Sequence, residues 1–309
     1  MRQIDYSIVI PVYRSNKSLK IIVEKFNTLF STQLQDKTYE IIFVNDSPFD
    51  QTTVKSLDEI YTSYTQIKVI ELTKNFGQQS AILCGISYAK GEYIITMDDD
   101  LQHDPYDITK LIEWQHHDIV IAKFVNKQHH WFKKITSKIK GYFDHIILQK
   151  PRHIVLTPFR LFNKNIATNI LKINTPYPFI PALLFAVSTD VVNVEIKHHK
   201  RIEGQSNYTL KKMIQLFNNL LINNSSLLLK TIGFVGICIS FFSIIYAIII
   251  IYKKIFLGVT LVGWSSIMVS ILFFGGMIMF SLGIIGEYLI RIIHTSEKRP
   301  HYFIKEIKE

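Results

Sequence analysis

Three adjacent carboxylates, Asp98-Asp99-Asp100, close the β-rich run Glu92–Met97 (EYIITM). Side by side they repel one another, and a cation makes such a cluster tolerable. Residues i and i+2 of an extended chain project to the same side. Asp98 and Asp100 are therefore expected to share one hard divalent ion, Mg2+ or Mn2+, with Asp99 facing elsewhere. Such ions take oxygen ligands, commonly one or two carboxylates plus substrate phosphates. The plain alternative is a solvated turn; the strand-like run before the triplet counts against it. Two further β-runs end in polar groups, at Pro11-Val12-Tyr13 and at Asn45-Asp46, the latter followed by the turn-rich string Ser47-Pro48-Phe49-Asp50. A carboxylate such as Asp46 can accept hydrogen bonds from a base or a ribose, or close an Asx turn. His103 lies just past the triplet, within reach of a metal or diphosphate unless it is an ordinary loop histidine. The string KHHKRIEGQSNY (Lys197–Tyr208) gathers basic and imidazole groups that would collect anions, or would only anchor the chain at a lipid boundary.

The elements that must position these groups are legible as alternating patterns. Tyr6–Val12, Tyr39–Asn45, Ile67–Leu72, Glu92–Met97 and Asp118–Lys123 read as strands. Leu19–Phe30 and about Gln78–Ala89 read as helices. Strands alternating with helices predict an α/β fold with a mostly parallel, doubly wound sheet. Ligands bind beyond the carboxyl ends of such strands, where three of the polar strings converge. The sequence has no GxGxxG and no GxxxxGK[ST] string, which disfavours a dinucleotide site and a P-loop.

The 309 residues carry 48% hydrophobic and 19% charged side chains, against about 25% charged in ordinary soluble proteins. The excess is concentrated. Ile232–Tyr252 is free of charge, and after Lys253-Lys254 so is Ile255–Gly286. A helix of roughly 20 apolar residues crosses the hydrocarbon layer, so two spans are expected, the second near Trp264–Ile285. Two buried core helices are the alternative, and the length of the runs counts against it. The N-terminus lacks the long apolar run of a signal peptide, and Lys230, Arg291, Lys298 and Arg299 suit a cytoplasmic side. Lys123–Lys150 and Leu210–Leu229 read as amphipathic stretches at an anionic interface. Net charge is +10. Two cysteines exclude a disulfide scaffold. The expected organisation is a catalytic domain over 1–209, an interfacial helix over 210–230, a membrane domain over 231–290 and a basic tail over 291–309. No nucleic-acid partner is expected, because the basic surface adjoins the spans without an aromatic-lined groove motif.

The chain resembles the family 2 inverting glycosyltransferases of the polyprenyl-phosphate type. The strings that carry the likeness are IPVYRSNKSL, VNDSPFDQT, LTKNFGQQSAILCGISYAKGEYIITMDDDLQHDP, PFRLF, HHKRIEGQSNYTLKK and SLGIIGEYLIRIIHTSEKRPHYFI, in that order over nearly the whole length. The resemblance implies a GT-A type domain, interfacial helices and two transmembrane helices, multi-pass in a bacterial inner membrane with the catalytic domain cytoplasmic. It implies that Pro11, Tyr13, Asp46 and Asp98 line the donor nucleotide pocket. Asp98 and Asp100 would bind the metal and the donor diphosphate, while Leu101, Gln102 and Pro105 complete the DxDLQxxP string. Asp99, Asp100, Gln102 and Arg201 would serve catalysis; Arg160, His198, Arg201 and Ser206 would meet the acceptor phosphate. The donor would be a nucleoside diphosphate sugar, with a UDP-sugar of glucose or a related hexose favoured. The acceptor would be undecaprenyl or another polyprenyl phosphate, and relatives assemble as tetramers.

Two departures bear on chemistry. The usual VDDGS string reads Asn45-Asp46-Ser47-Pro48, and HIVLTPFRLF carries no acid between Arg152 and Arg160, where relatives place a candidate base. A phosphate monoester has a second pKa near 6, so the acceptor oxygen is largely ionised at neutral pH and no dedicated base is expected, with Asp99 or Asp100 as the fallback. The rivals are a processive synthase, which would need more spans, a catalytically silent membrane scaffold, and transfer to a different membrane acceptor.

Overall fold

The computed structural model describes residues 4–125, 151–199 apart from 152, 176 and 198, parts of 232–256, and 263–296 and 300–309. The two amphipathic stretches expected at the membrane surface fall largely or wholly outside the described residues. His198, Arg201 and Ser206 lie outside them as well.

Four apolar runs build the middle of the sheet: β1 (Tyr6–Val12), β2 (Tyr39–Asn45), β3 (Ile67–Leu72) and β4 (Tyr93–Thr96). They are buried on both faces, which is why they read as continuous rather than alternating hydrophobic strings. The helix α1 (Lys17–Thr32) buries Leu19, Ile22, Val23, Phe26, Leu29 and Phe30, an i, i+3, i+4, i+7 stripe. α2 (Gln51–Ser63) presents Leu57 and Ile60 to the core, and α3 (Gln78–Ser87) is buried over most of its length. After a 3-10 turn at Pro105–Asp107 come α4 (Ile108–Ile112), β5 (Ile119–Phe124), β6 (Arg160–Asn163), α5 (Lys164–Leu171), α6 (Ile180–Val187) and β7 (Val191–Ile196).

With β8 (Ile304–Lys308), the strands form one eight-stranded sheet in the order β7-β5-β6-β4-β1-β2-β3-β8. β4-β1-β2-β3 are parallel, as is the pair β5-β7. The expectation of a mostly parallel sheet is corrected at three places. β6 runs antiparallel to both β4 and β5, and β8 (Ile304–Lys308) runs antiparallel to β3. The sheet is therefore mixed. The last residues, expected as a basic tail, are an edge strand of this sheet: one compact unit comprises Met1–Lys212 together with Arg299–Glu309.

Gly91 precedes β4 where the chain passes against β1. A Cβ there would lie 2.6 Å from the Ser7 backbone nitrogen and 2.9 Å from the Tyr6 carbonyl carbon. Its N–H donates to Ser7 Oγ (2.8 Å), and that hydroxyl donates to the buried Glu40 carboxylate (2.6 Å). Backbone cannot yield as a side-chain tip does. Gly91→Ala is expected to cost about 2 kcal/mol through overpacking, read as a lowered thermal midpoint of the detergent-purified protein beside an exposed-site control such as Lys55→Ala.

The second compact unit, Met213–Lys298, contains α7 (Trp264–Ser296). At 1.5 Å per residue this helix is about 50 Å long. Its segment Phe273–Ile290 has a mean hydropathy of 1.7 and none of it is buried. Two spanning helices are expected from sequence; among the described residues this one helix is long and apolar enough to cross a membrane. Isolated described residues of the first apolar run, Ile232–Gly236 among them, are helical.

Candidate active site

The loops that follow β1, β2 and β4 meet at the carboxyl edge of the sheet because their strands are neighbours in register. Val12 sits opposite Asn45, and the Asp46 N–H donates to the Val12 carbonyl (2.9 Å).

The acidic triplet does not continue β4, and the extended-chain argument for it is corrected here. The strand stops at Thr96, and Asp99-Asp100 form a turn. Asp100 is buried, and its Oδ1 accepts the Gln102 N–H (3.0 Å) across Leu101, which holds a left-handed φ of 59°. A leucine in that region is strained, and the carboxylate bond holds it there. Asp98 Oδ1 accepts from Gln78 Nε2 (2.6 Å) at the start of α3.

Asp99 does not face away from the site. Its Oδ2 accepts the Ser15 hydroxyl (2.5 Å) and, at 3.4 Å, the Tyr13 N–H. Burial pushes its pKa up to about 6; the Ser15 and Tyr13 hydrogen bonds oppose that shift and the neighbouring Asp100 charge adds to it. Between these two contacts stands Arg14, the second left-handed residue (φ 55°), whose N–H donates to Ser47 Oγ (3.0 Å). Ser47 in turn donates through its N–H and its hydroxyl to Asn45 Oδ1 (2.9 and 3.0 Å). The loop after β1 is thus pinned from β4 by Asp99 and from β2 by Ser47. Asn45, in place of an acid, serves as the acceptor of that network; its buried Nδ2 has no partner among the described residues.

Asp46 is buried and its two oxygens accept the N–H groups of Phe76 (2.6 Å) and Gly77 (2.9 Å). Burial raises its pKa and the two N–H groups oppose the rise. Gly77 holds φ 89°, open to glycine without strain. The sequence string KNFGQQ is therefore a loop folded over Asp46. Pro11 lies buried within β1, and Tyr13 is exposed with the Arg14 guanidinium 5.4 Å from its ring centre.

Arg160 starts β6 opposite Thr96 at the end of β4, so the antiparallel strand missed from sequence delivers it to the triplet. It is 5% exposed. Its Nε donates to the Thr157 carbonyl (2.6 Å) and its Nη1 has no partner among the described residues. Burial lowers its pKa to about 10, and the charge of Asp98 acts in the opposite direction. His103, expected within reach of a metal or diphosphate, is instead 2% exposed and stacks on Phe124 (4.8 Å between centroids) and against Phe159 (5.3 Å). From the histidine-rich string, His199 reaches the site: its N–H donates to the Gln102 carbonyl (3.2 Å).

Among the described residues no three His, Cys, Asp or Glu side chains converge on a metal position. The oxygen donors of Asp98 and Asp100 fit a hard divalent ion whose remaining ligands are substrate phosphates and water.

Residues 7–171 match the sequence profile of Glycosyl transferase family 2. The chain is 34% identical to the uncharacterized glycosyltransferase YkcC of Bacillus subtilis (strain 168), over 99% of this chain and 94% of that protein. It is 27% identical, over 97% of this chain and 93% of the other, to the undecaprenyl-phosphate 4-deoxy-4-formamido-L-arabinose transferase of Edwardsiella ictaluri (strain 93-146). In fold it is similar to glucosyl-3-phosphoglycerate synthase from Mycobacterium tuberculosis in complex with Mn2+, uridine-diphosphate-glucose and glycerol 3-phosphate. That likeness has a TM-score of 0.52 at 10% identity, covering 71% of this chain and 78% of that one.

Proposed function

The chain belongs to glycosyl transferase family 2, and from that premise we propose that it transfers one sugar from a nucleoside diphosphate sugar to a polyprenyl phosphate, inverting the anomeric carbon. The observation that carries this reading is the Asp98–Asp100 turn at the carboxyl edge of the sheet, tied to β1 through Ser15 and to α3 through Gln78. The relative named for transfer to undecaprenyl phosphate, matched over 97% of this chain, supports the acceptor class.

In this reading the loops after β1 and β2 hold the nucleotide, with Tyr13 and Asp46 at the pocket. Asp98 and Asp100 would hold Mg2+ or Mn2+. When bound, that ion neutralises charge developing on the departing nucleoside diphosphate. The chain's own task is alignment. Gln102 and His199 stand together beside the triplet, and in this reading Arg201 is the residue assigned to the acceptor phosphate. A phosphate oxygen of the lipid attacks the anomeric carbon as the diphosphate leaves from the opposite face. The acceptor is already anionic, so the absence of an acid before Phe159 does not stop the reaction. Asp99 is engaged by Ser15 and Tyr13 and acts as a brace for the loop, and in-line placement does the rest.

A lipid acceptor requires a membrane address. β1 and β8 belong to one sheet, so a chain that leaves that sheet for the membrane and returns crosses an even number of times. With α7 as one crossing, the uncharged run Ile232–Tyr252 supplies the other.

The test is transfer of radiolabelled sugar into the organic phase by detergent-purified protein, given undecaprenyl phosphate, Mn2+ or Mg2+, and a panel of UDP-, GDP- and dTDP-sugars. A lipid product lost on chelation is expected. Nucleotide binding without lipid product from any donor would move the assignment to another membrane acceptor or to a silent scaffold.

A further inference from the structure

We propose that Phe303, in the segment that follows α7, is a positioning residue for the donor-nucleotide pocket, acting through Phe76 on the loop that encloses Asp46. The inference rests on the reading of the Asp46 side of the sheet as the donor pocket.

The loop after β3 is held on two sides. On one, the N–H groups of Phe76 and Gly77 grip the two oxygens of Asp46, and Asn75 Nδ2 donates to the Asp46 carbonyl (3.3 Å). On the other stands the C-terminal segment. The Thr73 N–H donates to the Phe303 carbonyl (2.9 Å), and the rings of Phe76 and Phe303 lie 6.1 Å apart, tilted by 48°. Lys74 Nζ sits 5.3 Å from the centre of the same Phe76 ring. The residue whose backbone N–H makes the shorter of the two bonds to Asp46 is therefore steadied, through its ring, by a residue distant in sequence. The segment itself is fixed on both flanks of Phe303. The Tyr302 hydroxyl lies 3.0 Å from Ser87 Oγ at the end of α3, and Lys305 pairs with Glu71 (2.5 Å) across the β3–β8 ladder.

Phe303 is 55% exposed. Removing an exposed ring leaves no core cavity, so its effect is separable from unfolding. An aromatic pair contributes enough to change an equilibrium by roughly three- to tenfold. The donor alone should register that change, because Asp46 belongs to the donor side.

Full-length Phe303→Ala and Phe303→Tyr proteins, purified in detergent, are to be compared with wild type by calorimetric titration with UDP and with GDP in the presence of Mn2+, and by steady-state transfer kinetics. The expected result for Phe303→Ala is a weakening of nucleotide affinity and a rise in donor KM, each roughly three- to tenfold. Its kcat, lipid KM and thermal midpoint should be unchanged, and Phe303→Tyr should restore the wild-type values. Unchanged donor parameters in Phe303→Ala would overturn the inference and leave the pocket reading standing. So would a lowered melting midpoint with kcat and both KM values affected and no rescue by tyrosine. Wild-type protein that binds neither nucleotide and makes no lipid-linked sugar would overturn the pocket reading itself, and the inference with it.

Discussion

Asp100→Asn is expected to leave a folded protein whose kcat for lipid-linked sugar falls by roughly a thousandfold, the scale on which losing a charge-stabilising group at a reacting centre is felt. Asparagine is the informative replacement. Its side-chain carbonyl can still accept the Gln102 N–H that closes the turn (3.0 Å in the native protein), so Leu101 keeps its left-handed conformation. What disappears is one negative charge and one hard oxygen ligand. Thermal unfolding of the variant should match wild type, and its residual activity should no longer respond to raising Mn2+ or Mg2+ through the range that saturates the native enzyme. A variant with native activity would remove Asp100 from the metal set and sink the metal-dependent reading. Asp99→Asn offers the contrast. It retains one acceptor for the Ser15 hydroxyl, so its effect should be the smaller one and should appear chiefly in donor KM, since the loop it braces carries Tyr13.

That contrast also shows what a sequence can and cannot disclose. The triplet stood out because three adjacent carboxylates need an explanation wherever they fall, and the strand before it put it at the carboxyl edge of the sheet. Their division of labour was not legible. Whether Asp99 faces the site or leaves it depends on β4 ending at Thr96 and on a turn held by strain at Leu101, and no local pattern announces either. The central strands were readable because burial on both faces makes them continuous apolar strings. β6 offers only RLFN, four residues with no period to detect. β8 reads IKEIK after an apolar helix, and its lysines look like a solvated tail. Edge strands carry such charges as a rule, and here they are met by Glu71 and Asp58. The partner of β8 lies at the opposite end of the sequence, so pattern reading alone had no means to pair them. For the same reason the aromatic contact between Phe76 and Phe303 was beyond reach, although the string KNFGQQ that it steadies was visible.

Arg160→Met should give the second large loss of activity, roughly a hundredfold, and its kinetic form decides what the arginine does. The resemblance assigned this residue to the acceptor phosphate. Its setting points instead to the triplet: it begins β6 opposite the last residue of β4, is buried, and feels the charge of Asp98. A buried guanidinium stays charged at neutral pH, and a nearby anion offsets part of its desolvation cost. Its Nε is committed to the Thr157 carbonyl, which fixes the plane of the group, and Nη1 has no acceptor among the described residues. Methionine fills much of the same volume without a charge, and replacing a buried ion by an apolar side chain is often tolerated by the fold. The expected result is therefore a native-like melting midpoint, a depressed kcat, a raised metal requirement and an unchanged KM for undecaprenyl phosphate. Arg160→Lys should not restore activity, because an ammonium cannot hold Thr157 and present a second N–H from one rigid plane. If the KM for the lipid rises at constant kcat instead, Arg160 grips the acceptor, and the catalytic charge beside Asp98 must come from elsewhere, with Arg201 the first residue to replace.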